Sequence, residues 1–313
     1  MRKVIGIYGK FLKGPYKDVL LVATAQDGNS KCYPIAWGIV DSKNNDSWTW
    51  FLTRLKEVIG DTDKLVFVSD RAKSIKNAVS TVFYNVQHGA CAWHVAQNVK
   101  NKFKCSDIMG SYWKAVNMYR VEEFNGYMTE ISRKYPRVSK YLENEVGFEK
   151  WLRCHFPGLR YNITITNIVE SLNSMLVNAR EFPYIVLLDV IQAKMSKWWN
   201  KRQEIGVRLT SPLTPKREDE LRARFAIANV LLTMQLNNLM FHVRGGALDG
   251  VVDTLNNTCS CREFDIDRLP CVHVIAAAQK GNFNLYSLVS PYYTKEYYTL
   301  ACEDTIYQVS SQS

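Results

Sequence analysis

The sequence predicts an α/β fold with two additions, a helical insertion and a small C-terminal unit stapled by metal. Three observations carry that expectation. The run Leu65-Val66-Phe67-Val68-Ser69-Asp70-Arg71 takes four apolar residues straight into a carboxylate and a guanidinium. Such a run reads as a strand buried on both faces of an α/β sheet, with Asp70 at the end where such sheets place ligands. Residues 3–40 read as three further strands. Near the C terminus, Cys259, Cys261, Cys271 and His273 fall in two close pairs.

In chain order, the first strand is Val4–Tyr8, the second Asp18–Ala25 and the third Cys32–Val40. The last two are joined through Asp27-Gly28, a pair that favours the tight turn of a hairpin. Asn45-Asp46-Ser47 then caps a helix from Trp48 to Ile59, with Trp48, Phe51, Leu52 and Leu55 on one face. The strand ending at Asp70 follows, then a helix from Lys73 to Phe83. An antiparallel meander, a helix, a strand and a helix is the order of a ribonuclease-H-like core. From Val95 to Leu159 the chain reads as helical and rich in Lys, Tyr and Trp, and further helices are expected over Ile168–Arg180 and Ile185–Lys201. Pro212-Leu213-Thr214-Pro215 breaks the pattern, and a helix over Lys216–Thr233 leads to short strands and the cysteine cluster. The tail, Tyr292 to Tyr307, is aromatic and short.

The 313 residues can bury one large core with an appendage, or two modest domains. Forty Lys and Arg against 30 Asp and Glu give a net charge of +10, which favours polyanionic partners such as nucleic acid or an acidic membrane surface. No run of about 18 apolar residues suggests a membrane span. The start, Met1-Arg2-Lys3-Val4, runs into Gly6, Tyr8, Gly9 and Lys10 and lacks the apolar core of a signal peptide. Eight cysteines without such a signal fit a reducing compartment, where thiols bind metal or fill cores. Cys32, Cys105, Cys154 and Cys302 are scattered and read as core residues.

The cluster reads differently. Cys259-Ser260-Cys261, nine intervening residues, then Cys271-Val272-His273 offers four soft or borderline ligands, the set that tetrahedral Zn²⁺ takes. None of the four positions looks open, so the zinc expected is structural, with no catalytic water. The form C-x-C-x9-C-x-H, with Pro270 before the third ligand, resembles the SWIM zinc finger at all four ligand positions.

With that finger in place, the N-terminal half is similar to plant Mutator-like (MULE) transposases. The resemblance rests on Phe11-Leu12-Lys13-Gly14, the run Leu20 to Asn29, Pro34-Ile35-Ala36, and Ser47-Trp48-Thr49-Trp50-Phe51. It rests also on Ser69-Asp70-Arg71, Cys91-Ala92-Trp93-His94, and Thr166-Asn167-Ile168-Val169-Glu170-Ser171-Leu172-Asn173. It implies a ribonuclease-H-like (integrase/DDE) core with a helical insertion, then the finger. It also implies DDE chemistry, in which three carboxylates hold two Mg²⁺ about 4 Å apart to activate an oxygen nucleophile against a DNA phosphodiester. The second carboxylate corresponds to Asp70 and the third to Glu170. Where the family has Asp-Gly-Thr-Phe-Leu at the first strand, this chain has Tyr8-Gly9-Lys10-Phe11-Leu12. Tyr8 offers a neutral phenol to a hard cation, and Lys10 adds positive charge where the metals would sit. Asp18, Asp27 and Asp41 are better explained as strand-start, turn and strand-end residues than as a replacement.

The expectation is therefore a transposase-derived, DNA-associated zinc protein of the nucleus whose nuclease is inactive, either a regulator or a decaying element. Mg²⁺ enters only if DDE activity persists. The alternatives are an active DDE transposase, and an interaction module in which the finger and the helical insertion bind protein. Relatives carry an N-terminal DNA-binding region ahead of the core, and this chain begins at the first core strand, so a truncated chain is expected. Cys91 and His94 form a C-x-x-H pair read as structural, since two ligands cannot close a zinc site. Trp113, Trp198 and Trp199, beside Lys114, Lys197 and Lys201, are better read as packing residues than as a nucleic-acid stacking surface. The expected division is core 1–95, helical insertion 96–160, core helices 161–205, linker and helix 206–245, finger 246–285 and tail 286–313.

Overall fold

The computed structural model describes residues 2–13, 17–163, 172 and 175–304. It contains a five-stranded mixed sheet and, C-terminal to it, a four-stranded antiparallel sheet. The first sheet is built from β1 (Val4–Phe11), β2 (Val19–Gln26), β3 (Cys32–Val40), β4 (Val66–Ser69) and β5 (Gln87–Ala90), in the order β3-β2-β1-β4-β5. β1, β2 and β3 pair antiparallel, whereas β4 runs parallel to β1 and β5 parallel to β4. That order and those directions are the ribonuclease-H-like arrangement expected from the sequence.

The helices follow as α1 (Asn45–Ile59), α2 (Lys73–Val82), α3 (Ala92–Phe103), α4 (Met109–Asn117), α5 (Val121–Lys134), α6 (Pro136–Lys140) and α7 (Phe148–Trp151). A π-helical turn, Tyr141–Val146, separates α6 from α7. Then come α8 (Tyr184–Arg208) and α9 (Pro215–Ala228). The second sheet is β6 (Leu232–Gln235), β7 (Met240–Arg244), β8 (Gly250–Asp253) and β9 (Thr258–Cys259), followed by α10 (Glu263–Asp267), α11 (Val272–Gly281) and α12 (Lys295–Leu300).

The two faces of the first sheet serve different neighbours because successive strand side chains alternate. Ile5, Ile7, Val19, Leu21 and Phe67 pack against α1 and α2, where Trp48, Phe51, Leu52 and Leu55 are all buried as their spacing predicts. On the other face, Tyr8, Leu20 and Val22 meet Leu187 and Ile191 of α8, while Val4, Val66 and Val68 join the core of the C-terminal unit. The finger and the sheet thus share one apolar cluster. The helices between α3 and α7 build their own core around Tyr112, Phe124 and Trp151.

Several boundaries move. β1 runs on through Gly9, Lys10 and Phe11, so Tyr8 lies inside the strand, paired with Val22. α1 starts at Asn45, and its cap is Asn44, whose Oδ1 accepts the Ser47 N–H at 2.8 Å. The helix expected to reach Thr233 stops at Ala228, and Leu232–Gln235 is a strand; the apolar run Val230–Met234 has no period that separates the two states. The helix expected over Ile168–Arg180 falls largely outside the described residues, and its end is a 3-10 turn, Ala179–Glu181. β5 was not expected, because Gln87-His88-Gly89-Ala90 has neither alternation nor β-branched residues. It forms by pairing with β4, and Arg160, fully buried, donates to the carbonyls of Ala90, Lys150 and Ile163 at 2.9, 3.1 and 2.7 Å, tying that strand to the helices beyond.

The Asp27-Gly28 hairpin turn forms as expected, but it is buried. Asp27 is 1% exposed and its Oδ2 accepts from Arg202 Nε of α8 at 3.0 Å. The Gly28 carbonyl accepts from Thr214 Oγ1 at 3.0 Å and Arg217 Nε at 3.2 Å, and a Cβ on Gly28 would lie 2.6 Å from the Tyr292 carbonyl oxygen. The turn is a plug seated between the linker and the C-terminal segment.

Candidate functional site

The four sequence-predicted ligands come together. One donor atom from each of Cys259, Cys261, Cys271 and His273 lies within 4.8 Å of all the others. His273 Nδ1 is 3.7 Å from Cys259 Sγ and 3.9 Å from Cys271 Sγ, against about 3.6 Å expected between S and N ligands of a tetrahedral zinc. Cys259 ends β9, and the chain doubles back at Arg262, whose φ of 66° is left-handed and whose N–H bonds the Cys259 carbonyl at 2.8 Å. That turn aims Cys259 and Cys261 at one point. Cys271 caps α11 and His273 lies in its first turn, so both project from the helix end where dipoles favour negative charge.

The surroundings fit a metal. His273 Nε2 donates to the Leu248 carbonyl at 2.9 Å, which leaves Nδ1 as the lone-pair nitrogen facing the thiols. Asp265 Oδ2 accepts the Cys259 N–H at 2.8 Å, and Arg224 of α9 reaches the Leu269 and Pro270 carbonyls and the Glu263 carboxylate. Burial pushes the Cys271 thiol well up, while hydrogen bonds from Cys259 and Cys271 pull Cys261 down. Burial opposes a charged His273, yet its hydrogen bonds to Cys259 and Cys261 carry it up to about 10. Protons alone satisfy this crowd poorly. A divalent cation favours all three thiolates and takes the position of the Nδ1 proton, so the donor set points to structural zinc.

Gly250 is a member of the site that the sequence did not signal. A Cβ there would fall 2.5 Å from His273 Cγ, so the imidazole lies flat against the β8 backbone. Gly250→Ala is expected to displace the ring and weaken zinc binding by about 10–100-fold, read by competition with a chromophoric chelator. Affinity equal to the parent protein would show that the ring does not depend on this contact.

The second sequence-predicted site is at the C-terminal edge of β1 and β4. Register pairs Val4 with Val66, Ile5 with Phe67 and Gly6 with Val68; continued by two residues, it sets Tyr8 opposite Asp70. Asp70 Oδ1 accepts the Ala72 N–H at 3.0 Å, closing the turn into α2; the N-cap position itself is Ala72. Tyr8 is 6% exposed, packed with Leu12, Leu20, Val22, Leu172 and Leu176, and burial pushes its phenol far above the ordinary value. Lys43 also reaches this edge, from the loop after β3: its ammonium stands 4.3 Å from the Phe11 ring centroid. Burial lowers the Lys43 pKa, Asp70 raises it and Lys10 lowers it, so the Lys43 ammonium feels both the Asp70 carboxylate and the Lys10 charge. Among the described residues Asp70 belongs to no group of three or more metal-capable side chains, and Glu170 lies outside them.

Cys91 is buried at the start of α3, and His94, three residues on, sets its ring edge-on to Trp93 at 4.9 Å. Neither belongs to such a group among the described residues. His88, nearby in sequence, bonds Ser69 Oγ through Nε2 at 2.8 Å, and burial pulls its pKa down to about 4. Trp113 packs against the helical insertion, Trp198 against the α8 cluster, and Trp199 is 8% exposed beside Tyr33, so all three are packing residues. All eight cysteines are free thiols.

Two family models match parts of this chain. The model of the MULE transposase domain matches residues 4–98, and that of the SWIM zinc finger matches residues 242–282. A transposase for insertion sequence element IS905 from Lactococcus lactis subsp. lactis (strain IL1403) is 24% identical over 179 residues, covering 52% of this chain and 45% of the relative. The match thus spans less than half of that relative's length. Among solved structures, the catalytic core domain of BIV integrase is similar at 9% identity with a TM-score of 0.22, covering 43% of this chain and 99% of that one. The ribonuclease-H-like assignment rests on strand order and direction instead. Residues 4–98 of this chain are thus similar to the MULE transposase domain, and residues 242–282 to the SWIM zinc finger.

Proposed function

We infer that the chain is a transposase-derived protein that associates with DNA in the nucleus, holds one structural zinc and does not cut DNA. The observation that carries this reading is Tyr8 opposite Asp70, buried among leucines, with the Lys43 charge interacting with Asp70. Two-metal phosphodiester chemistry needs carboxylates converging on two Mg²⁺ ions. A buried phenol supplies no such charge, and the Lys43 ammonium repels the metals. The same lysine suits a DNA phosphate, as does the net charge of +10. Such a protein serves as a regulator or persists as the remnant of an element. Binding of duplex DNA is expected to weaken steeply with salt, at about −0.9 in log–log slope per phosphate neutralised. A flat slope would remove DNA from the account.

One observation favours a second reading, protein contact through the four-stranded sheet that leads into the finger. Leu232, Met234, Leu236 and Leu239 are 74, 53, 51 and 44% exposed on or beside the edge strand β6, an apolar surface of the kind that marks interfaces. Among the described residues, no helix is long and apolar enough to cross a membrane.

A further inference from the structure

A groove of about 480 Å³ opens beside the Asp70 edge, lined by Arg71, Asn98, Asn101, Lys102, Tyr141 and Glu145. Three parts of the chain build it: the residue after Asp70, the exposed face of α3, and the π-helical turn of the helical insertion. π-helical turns inside helical segments occur frequently at functional sites.

The groove holds its cations in place. Arg71 donates to Tyr141 Oη at 2.7 Å and to the Glu145 carbonyl at 2.7 Å. Lys102 Nζ lies 2.8 Å from a Glu145 carboxylate oxygen and 4.5 Å from the Tyr141 ring centroid, with Arg71 5.6 Å from the same ring. Two cations against one carboxylate leave a single positive charge, the complement of one phosphodiester. Asn98 and Asn101, both exposed, stand one helical turn apart and present amides that can pair with a base edge. The net positive charge, two exposed amides and a volume suited to one nucleotide favour a nucleic-acid strand, whose phosphate and base edge together use both.

We propose that this groove binds one nucleotide of a DNA strand, its phosphate held by Arg71 and Lys102 and its base by Asn98 and Asn101. The site needs no divalent metal and uses none of the DDE positions. It rests on the reading of the chain as DNA-associated and adds where a strand lies.

The test is fluorescence anisotropy of a labelled single-stranded oligonucleotide with the full chain, without Mg²⁺, over a salt series. Lys102→Glu and Asn101→Asp alter exposed positions; Lys64→Glu makes the same charge change as the first, before the end of β4 that lies away from Asp70. Lys102→Glu is expected to weaken binding by about tenfold and to lower the log–log salt slope by about 1, and Asn101→Asp to weaken it at unchanged fold. Lys64→Glu should bind as the parent does. Unchanged binding in both groove variants, or an equal loss in Lys64→Glu, overturns the groove while leaving DNA association in place. Displacement of the oligonucleotide by polyglutamate at lower concentration than by unlabelled DNA assigns the groove to acidic protein and overturns the proposal. No binding by the parent chain overturns both the groove and the DNA reading.

Discussion

Cys271→Ser is expected to abolish zinc binding and unfold the C-terminal unit from β7 to α11. Cys271 is fully buried at the start of α11, and no side-chain hydrogen bond caps that helix. Structural zinc contributes about 10–16 kcal/mol in small finger folds, far more than the short two- to five-residue strands around it can supply. The loss should spread inward, because Val4, Val66 and Val68 of the first sheet share a cluster with Val274, Ile275 and Phe241 of the finger. Zinc content by mass spectrometry and hydrogen exchange along α11 check this. Full protection of α11 without zinc would mean that the apolar cluster alone holds the unit. A metal chelator should reproduce the effect in the parent chain, and acid should promote it, since thiolate and imidazole ligands take up protons as the metal leaves.

The Asp27–Arg202 pair carries the second large effect. The two side chains are 1% and 8% exposed, and Asp27 Oδ1 also accepts the Lys31 N–H at 2.7 Å. Removing one partner strands the other charge in a site that water does not reach, at a cost of roughly 3–5 kcal/mol. Arg202→Met should therefore lower the midpoint of denaturant unfolding by that amount and loosen α8 from the hairpin turn. A loss below about 1 kcal/mol, the range of exposed pairs, would show that the turn is solvated in solution.

The sequence exposed those features whose cause is local. The meander, the apolar face of α1 and the buried strand before Asp70 follow from short-range pattern, and each is found. The zinc ligands were legible for the same reason, since two pairs of close ligands leave few other readings. What stayed hidden depends on residues far apart in the chain. Nothing near Gly250 announces that His273 will lie on it, and nothing near Asp27-Gly28 announces that Arg202, Thr214 and Arg217 will bury that turn. Lys43 looks like an ordinary loop lysine until β3 is set parallel to β1 through β2, which carries it to the edge where Asp70 sits. β5 was illegible because its residues have no strand preference of their own and are ordered by β4. Tyr8 was legible as a residue, but its burial against Leu172 and Leu176 was not.

The reading of the core turns on whether Asp70 still works with a metal. Supercoiled plasmid incubated with purified protein and Mg²⁺, beside an Asp70→Ala variant, addresses it directly. The prediction is that the plasmid is bound and stays intact with either protein. Mg²⁺-dependent nicking by the parent chain, lost in Asp70→Ala, would contradict it.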